Sequence, residues 1–257
     1  MRLPTVAVVT GASSGIGRAT ALRLAQDFSA VVLVARDRSA LEDVATAVQF
    51  EGSDALVHAL DLREPRSAQM VVEGALARYG RIDALLNIAG AVPQTHLFEM
   101  TDAQWDDGMA LKLHGARRLT MRAWDALKAA RGSVVLMSGS AALAPTPANA
   151  AVAAINAAIT ALAKAFAERG ITDGVQVNSV LPGTVLTDRR RMFFEAWAPA
   201  HDMTVEEATK AFPARVGIER FGTPEEIADL MAYLVSPNAR WMTGSSVRMD
   251  GGEVKTL

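Results

Sequence analysis

The sequence has no cysteine and only two tyrosines, Tyr79 and Tyr233, in 257 residues. The first absence excludes disulfides, thiolate metal sites and cysteine nucleophiles, and it is compatible with a reducing compartment. The second leaves only two phenols that could move a proton. Aromatic residues make up 5% of the chain and hydrophobic residues 50%, so a large core has to be built mainly from Ala, Val and Leu. That favours helices packed closely on a buried sheet over an aromatic-rich sandwich. Neither sign of charge dominates: 26 Lys and Arg face 28 Asp and Glu, a net charge of −2 spread along the chain. A basic patch of the kind that binds nucleic acid is missing. The four histidines are scattered without metal-ligand spacing. No apolar run reads as long enough to span a membrane. Val6-Ala7-Val8-Val9 is too short for a signal-peptide core, and a glycine-rich turn follows it instead of a cleavage site. The expectation is a soluble, cytoplasmic protein with neither a nucleic-acid nor a membrane partner.

What is present is a regular alternation. Short apolar runs at 6–9, 30–34, 55–59, 84–86, 133–137, 175–180 and 246–249 alternate with helical patterns at 15–27, 39–50, 65–79, 102–129, 151–169 and 224–235. The first six runs are continuous rather than alternating, as in strands covered on both faces. This order predicts an α/β fold: one Rossmann-like, doubly wound parallel sheet of about seven strands with helices on both faces. No linker divides the chain, so 1–257 reads as one domain. The stretch 187–220 is too long for an ordinary connection and reads as a helical substrate lid.

The chemistry begins at Thr10-Gly11-Ala12-Ser13-Ser14-Gly15-Ile16-Gly17, directly after the first strand. Glycine is needed where the chain turns sharply and where backbone must approach a pyrophosphate. The helix that follows offers free N–H groups and a positive dipole end to phosphates, and Ser13 or Ser14 can cap it or bond a phosphate. An ordinary strand–helix turn shares the glycines, but the position after the first strand favours a nucleotide site. The second strand ends at Ala35 and Arg36, so the acid that accepts from ribose hydroxyls in an NAD site is missing. Arg36 can take a 2′-phosphate instead or stand as a solvated surface group, and Asp37 beside it dilutes the positive field. NADP(H) is expected over NAD(H).

The turn resembles that of the short-chain dehydrogenase/reductase family, and the resemblance extends over essentially the whole chain. Asp61, Asn87-Ile88-Ala89-Gly90, Val177-Asn178-Ser179-Val180-Leu181-Pro182-Gly183, Thr187 and Asp250-Gly251-Gly252 follow in the family's order. The resemblance implies cofactor contacts from Gly11, Ser13, Ser14, Gly15, Ile16 and Gly17, from Arg36, Asp61 and Leu62, and from Asn87, Ala89 and Gly90. It further implies contacts from Asn156, Pro182, Gly183, Val185 and Thr187. A homodimer or homotetramer built through the helices at 102–129 and 151–169 is implied as well.

In that family a Tyr serves as general acid/base, a Lys four residues later lowers its pKa, a Ser orients the substrate oxygen and an Asn anchors a water relay. The same alignment puts Val152 at the Tyr position, Asn156 at the Lys position, Gly139 at the Ser position and Lys112 at the Asn position. Lys and Asn read as exchanged between two helices, and Ser140 reaches the missing Ser's place if its loop shifts by one residue. Lys112, Asn156 and Ser140 are therefore the candidate catalytic set. The competing reading is a surface Lys, a core Asn and serines satisfying a strand end. Asn156 lies on an apolar stripe with Val152, Ile155, Ile159, Leu162 and Phe166, so it requires a buried partner. The ribose, a water or Lys112 would serve.

His96, in the loop after Pro93, is a second candidate proton carrier or a plain surface group, and His114 reads as a core or interface residue. In the lid, Arg189-Arg190-Arg191 precede Met192-Phe193-Phe194 and Trp197, either as the cover of an acyl or thioester substrate or as an amphipathic cover helix. Three functions compete at this point. They are an oxidoreductase on a small carbonyl or alcohol with an atypical proton relay, a catalytically silent nucleotide-binding sensor or oligomer partner, and a non-redox enzyme on the same scaffold.

Overall fold

The computed structural model describes residues 5–256. Seven strands form one parallel sheet: β1 (Val6–Thr10), β2 (Ala30–Ala35), β3 (Asp54–Ala59), β4 (Ala84–Asn87), β5 (Ser133–Met137), β6 (Gln176–Pro182) and β7 (Ser246–Met249). Their order across the sheet is β3-β2-β1-β4-β5-β6-β7. Every residue of β1, and nearly every residue of β2, β4, β5 and β6, is buried, as continuous Val, Ala and Leu runs require. The outer strands differ. All six residues of β3 are only half-buried, and β7 is largely exposed, because each lies at an edge with one strand neighbour. β3 is therefore not covered as its apolar run suggested.

The helices are α1 (Gly15–Ala25), α2 (Arg38–Phe50), α3 (Pro65–Tyr79), α4 (Asp102–Gly108), α5 (Ala116–Ala130), α6 (Ala150–Asp173), α7 (Asp188–Trp197), α8 (Val205–Val216) and α9 (Pro224–Val235). α1, α2 and α9 bury Leu24, Leu41, Val44 and Met231 against one face of the sheet. α3, α5 and α6 bury Val71, Leu119, Leu127 and Ile159 against the other. Each such side chain contributes about 1.5–3 kcal/mol when fully buried. β1 lies between β2 and β4, so the chain reverses its winding there and opens a crevice at the strand ends.

Three helical expectations are corrected. The single helix expected over 102–129 is three pieces, with a π-helical segment, Met109–Gly115, between α4 and α5. α6 does not stop at Arg169; it continues to Asp173 and ends at Gly174, which takes φ +75°. Gly170 is the residue just past the expected end. It lies inside the helix instead, where a Cβ would come within 2.1 Å of the Val175 carbonyl oxygen. Finally, the stretch Pro147–Asp173 is long and apolar enough by length and composition to cross a membrane, contrary to the expectation. In the fold α6 packs on β5 and β6, with Ile155, Ile159, Ala163 and Ala167 buried. Its Ala-rich composition serves close packing on the sheet.

The stretch 187–220 holds α7 and α8 around a small core of its own. Phe194 is fully buried there among Phe193, Trp197, Phe212 and Phe221.

Candidate functional site

A cavity of about 350 Å³ opens at the ends of β1, β2 and β4. Its floor is the turn after β1. Gly11 and Gly15 hold positive φ, +68° and +50°, which other residues rarely adopt. Gly17 is required for space: a Cβ there would sit 2.0 Å from the Gly11 carbonyl oxygen. Ser14 is the N-cap of α1, yet no side chain caps the helix and no acid stands in its first turn. The first N–H groups of α1 therefore face the cavity with their positive end uncompensated. The Thr10 hydroxyl fastens the turn to the end of β4, accepting from the N–H groups of Ile88 and Ala89 at 2.9 and 3.0 Å.

Of the residues expected to hold cofactor, Gly11, Ser13, Ser14, Gly15, Ile16, Gly17, Arg36, Asp61, Leu62, Ala89, Gly90 and Thr187 all line this cavity. The others do not. Asn87 turns its side chain away, donating to Thr120 Oγ1 at 3.1 Å and pinning β4 to α5, while its Oδ1 is buried without a partner. Pro182 is buried in β6. Gly183 and Val185 border a separate depression of about 220 Å³ toward Asp250. Thr187 caps α7 by accepting from the Arg190 N–H at 3.3 Å, which leaves its hydroxyl hydrogen free to donate.

At the adenine end expected for a dinucleotide, Asp37 lines the cavity beside Arg36 and has a second task. Its carboxylate caps α2, accepting from the Ala40 N–H at 3.1 Å. Arg36 is exposed and, among the described residues, has no ion-pair partner. These residues fit a phosphorylated dinucleotide: a glycine cradle that any Cβ would obstruct, an uncapped helix N-terminus and a free guanidinium on one cavity.

Directly behind the Gly90 wall lies Lys112. A Cβ on Gly90 would meet the lysine stem at 3.0 Å. Lys112 is carried inward by the π segment, whose wide turn departs from the regular helix phase. Gly108 and Gly115 flank it closely, with virtual Cβ contacts at 3.1 Å to Ile155 and 3.2 Å to the Leu62 carbonyl oxygen. The buried ammonium donates to Asn156 Oδ1 at 2.5 Å and to the Ser138 carbonyl at 3.0 Å. Burial, with a smaller contribution from Arg189, pushes its pKa down to about 8. Lys112 is thus the buried partner that Asn156 required. Ser138 donates to the Asn156 carbonyl at 2.8 Å and accepts from Thr160 at 3.1 Å, so it braces α6. Ser140 opens a short 3₁₀ turn and is buried. Gly139 lies against Asn156, where a Cβ would be 2.7 Å from Nδ2.

Val152 is half-buried on α6. Neither tyrosine lines the cavity. Tyr79 ends α3 with its hydroxyl buried and unpartnered, and Tyr233 is exposed on α9. His96 is exposed in its loop and does not line the cavity. His114 is held below its usual range by burial and by Arg117 and Arg118, with Nδ1 unpartnered. No cluster of metal-ligating residues occurs among the described residues.

The three arginines of α7 separate. Arg189 lines the cavity and donates to the Gly90 carbonyl at 2.8 Å. Arg190 lies over the rings of Phe193 and Phe212 at 5.2 and 5.7 Å. Arg191 is exposed. The aromatics of α7 and α8 pack on one another and none of them lines the cavity. Sequence reasoning missed Arg189 as a cavity residue and Arg63 as an ion-pair hub beside Asp61. A run of three arginines does not reveal which one turns inward.

The sequence matches, over residues 11–253, the family described as enoyl-(acyl carrier protein) reductase. It is 33% identical over 250 residues, 96% of each chain, to a Streptomyces virginiae protein named for a ketoacyl reductase of the monensin polyketide synthase. Among solved structures, L-sorbose reductase from Gluconobacter frateurii, determined with NADPH and L-sorbose, superposes with a TM-score of 0.94 at 29% identity and covers 100% of both chains. Actinorhodin polyketide ketoreductase, determined with NADPH, superposes with a TM-score of 0.92 at 29% identity over 97% of each chain.

Proposed function

The chain belongs to the short-chain dehydrogenase/reductase family, and from that premise we propose an NADP(H)-dependent oxidoreductase that transfers hydride to or from a small carbonyl or alcohol. The observation that carries the reading is the cavity itself: the uncapped start of α1, the three glycines and the unpaired Arg36 face one space. In this reading the main-chain N–H groups of residues 15–17 hold the pyrophosphate, and Arg36 takes the 2′-phosphate. Asp61, Leu62, Ala89 and Gly90 border the adenosine, and Thr187 donates its hydroxyl hydrogen. NADPH bound there supplies hydride from nicotinamide C4.

The proton is handled atypically. In this reading Val152 takes the place of the family's Tyr, and a valine cannot move a proton. Lys112 supplies the positive charge from α4–α5 that the family's Lys supplies from the helix matching α6. Asn156 orients that ammonium and holds it in place. With its pKa near 8, Lys112 can give up and regain a proton close to neutral pH. Ser140, buried beside Gly139, orients the substrate oxygen. α7 and α8 form the substrate lid. The subunits pair through the long helices spanning 102–130 and 150–173. The cytoplasm is the compartment that fits a cysteine-free reductase. The silent-binder reading is not favoured, because the relatives are named reductases.

The test is a titration followed by an assay. NADPH should bind at least tenfold more tightly than NADH, and a panel of β-ketoacyl thioesters and ketoses should include one that oxidises NADPH. Binding without turnover on any carbonyl substrate would overturn the enzyme reading, and equal affinity for both nucleotides would overturn the cofactor reading.

A further inference from the structure

Two acids line the cavity with Arg36, Asp37 and Asp61, and a third, Asp107 on α4, shares an arginine with Asp61. Asp37 is taken up by the N-terminus of α2. The other two, Asp61 after β3 and Asp107 on α4, converge on a single guanidinium, that of Arg63. Arg63 grips Asp107 with both edges of its fork: Nε donates to Oδ1, and Nη2 donates to Oδ2 at 2.8 Å. Its Nη1 and main-chain N–H reach Asp61 Oδ1 at 3.3 and 3.0 Å. The Arg63 backbone is itself held, since its carbonyl accepts from Arg118 at 3.1 Å. The side chain is only 20% exposed, so these bonds are partly shielded from solvent. Arg63 does not line the cavity; Arg36 and Asp61 do.

The Asp107 carboxyl is held below its usual range first by Arg63 and, at longer range, by Arg36. Arg36 is thus within electrostatic reach of an acid that it does not bond. Without Arg63, two uncompensated carboxylates would flank the place where a 2′-phosphate has to be accepted. They would repel the phosphate and draw the Arg36 guanidinium toward Asp107.

We propose that Arg63 is a positioning residue for cofactor choice. By holding Asp61 and Asp107 it keeps Arg36 a free cation at the cavity mouth, and so it favours the dinucleotide that carries a 2′-phosphate. The inference rests on the NADP(H) reading above, and it adds a residue that never touches the nucleotide.

The test compares Kd for NADPH and NADH by nucleotide fluorescence, without substrate. In Arg63→Gln the NADPH Kd should rise about threefold to tenfold, the scale of one charge at short range in a half-exposed site, while the NADH Kd changes by less than about twofold. Adding Asp107→Asn to that chain should restore most of the preference. Asp107→Asn alone should raise the preference for NADPH about threefold, and this is the deciding variant if Arg63→Gln does not fold. An unchanged ratio in Arg63→Gln, or no recovery in the double variant, overturns the proposal. A wild-type chain that binds neither nucleotide overturns the cofactor reading instead.

Discussion

The turn after β1 and the Lys112–Asn156 pair are neighbours across the Gly90 wall, but they are made of different material. The first is main chain: positive φ angles, a helix end and hydrogens where side chains would collide. The second is side chain: one ammonium, one amide and the carbonyl of Ser138. A site made of backbone can hardly be rearranged without losing the turn, so it keeps the family's form. A site made of side chains can be redistributed between packed helices as long as charge and hydrogen bonds still meet. Here the lysine enters from the π segment and the asparagine from α6.

That contrast can be broken from its backbone side first. Gly17→Val drives a Cβ into the Gly11 carbonyl, for which relaxation offers no room. It should cost about 3 kcal/mol or more and abolish nucleotide binding, read by chemical denaturation and NADPH titration. The side-chain half predicts a different signature for Lys112→Met. Hydride transfer should fall about 100-fold or more, and the limb of the rate–pH profile near 8 should vanish, while the fold survives. The stability difference carries a sign as well. The folded-state value of Lys112 lies below its unfolded value of 10.5, so between about 8 and 10.5 the unfolded chain binds more protons. Stability of the wild type should therefore rise with pH across that window relative to the variant. A flat difference in melting temperature would show that Lys112 does not titrate there. Arg36→Gln comes next, with an NADPH Kd about 10–30-fold weaker and NADH unchanged by fluorescence titration. The smallest effect belongs to Gly139→Ala, because the obstructing group is the end of the Asn156 side chain. A loss of about 1 kcal/mol in urea denaturation is expected. The rate–pH limb should shift with it, since the displaced Asn156 side chain is the one that accepts from Lys112.

The fold was legible because its signals are strong and local: continuous Val-rich runs, glycines at turns, and helices between them. β3 misled because an apolar run says nothing about whether its strand lies in the middle of a sheet or at its edge. Gly170 misled because glycine at a helix end and glycine under a passing carbonyl are the same letter. The π segment was invisible because Met109–Gly115 continues the helical pattern on either side of it without a break in sequence. In the site, the cavity lining at the turn after β1 was legible down to single residues, and Asn156 was legible as a buried amide needing a partner, with Lys112 one of three offered. The roles of Asp37 and Arg63 were not, since a helix cap and a two-acid clamp depend on which elements meet in space. Arg189 was read as part of a basic run, although it alone of the three turns to the cavity.

The π segment also bears on how this protein tolerates changes in length. Its wide turn is equivalent to one residue inserted into an ordinary helix and absorbed there. Deleting a single residue within 109–115 would let the helix close into regular turns with α4 and α5 keeping their phase, and the wide turn that aims Lys112 inward would be lost. Lys112 would leave Asn156, while Leu119 and Leu127 would keep their places on the sheet. A length change would thus cost the Lys112–Asn156 bond and leave the core in place, the reverse of what a deletion in a regular helix does.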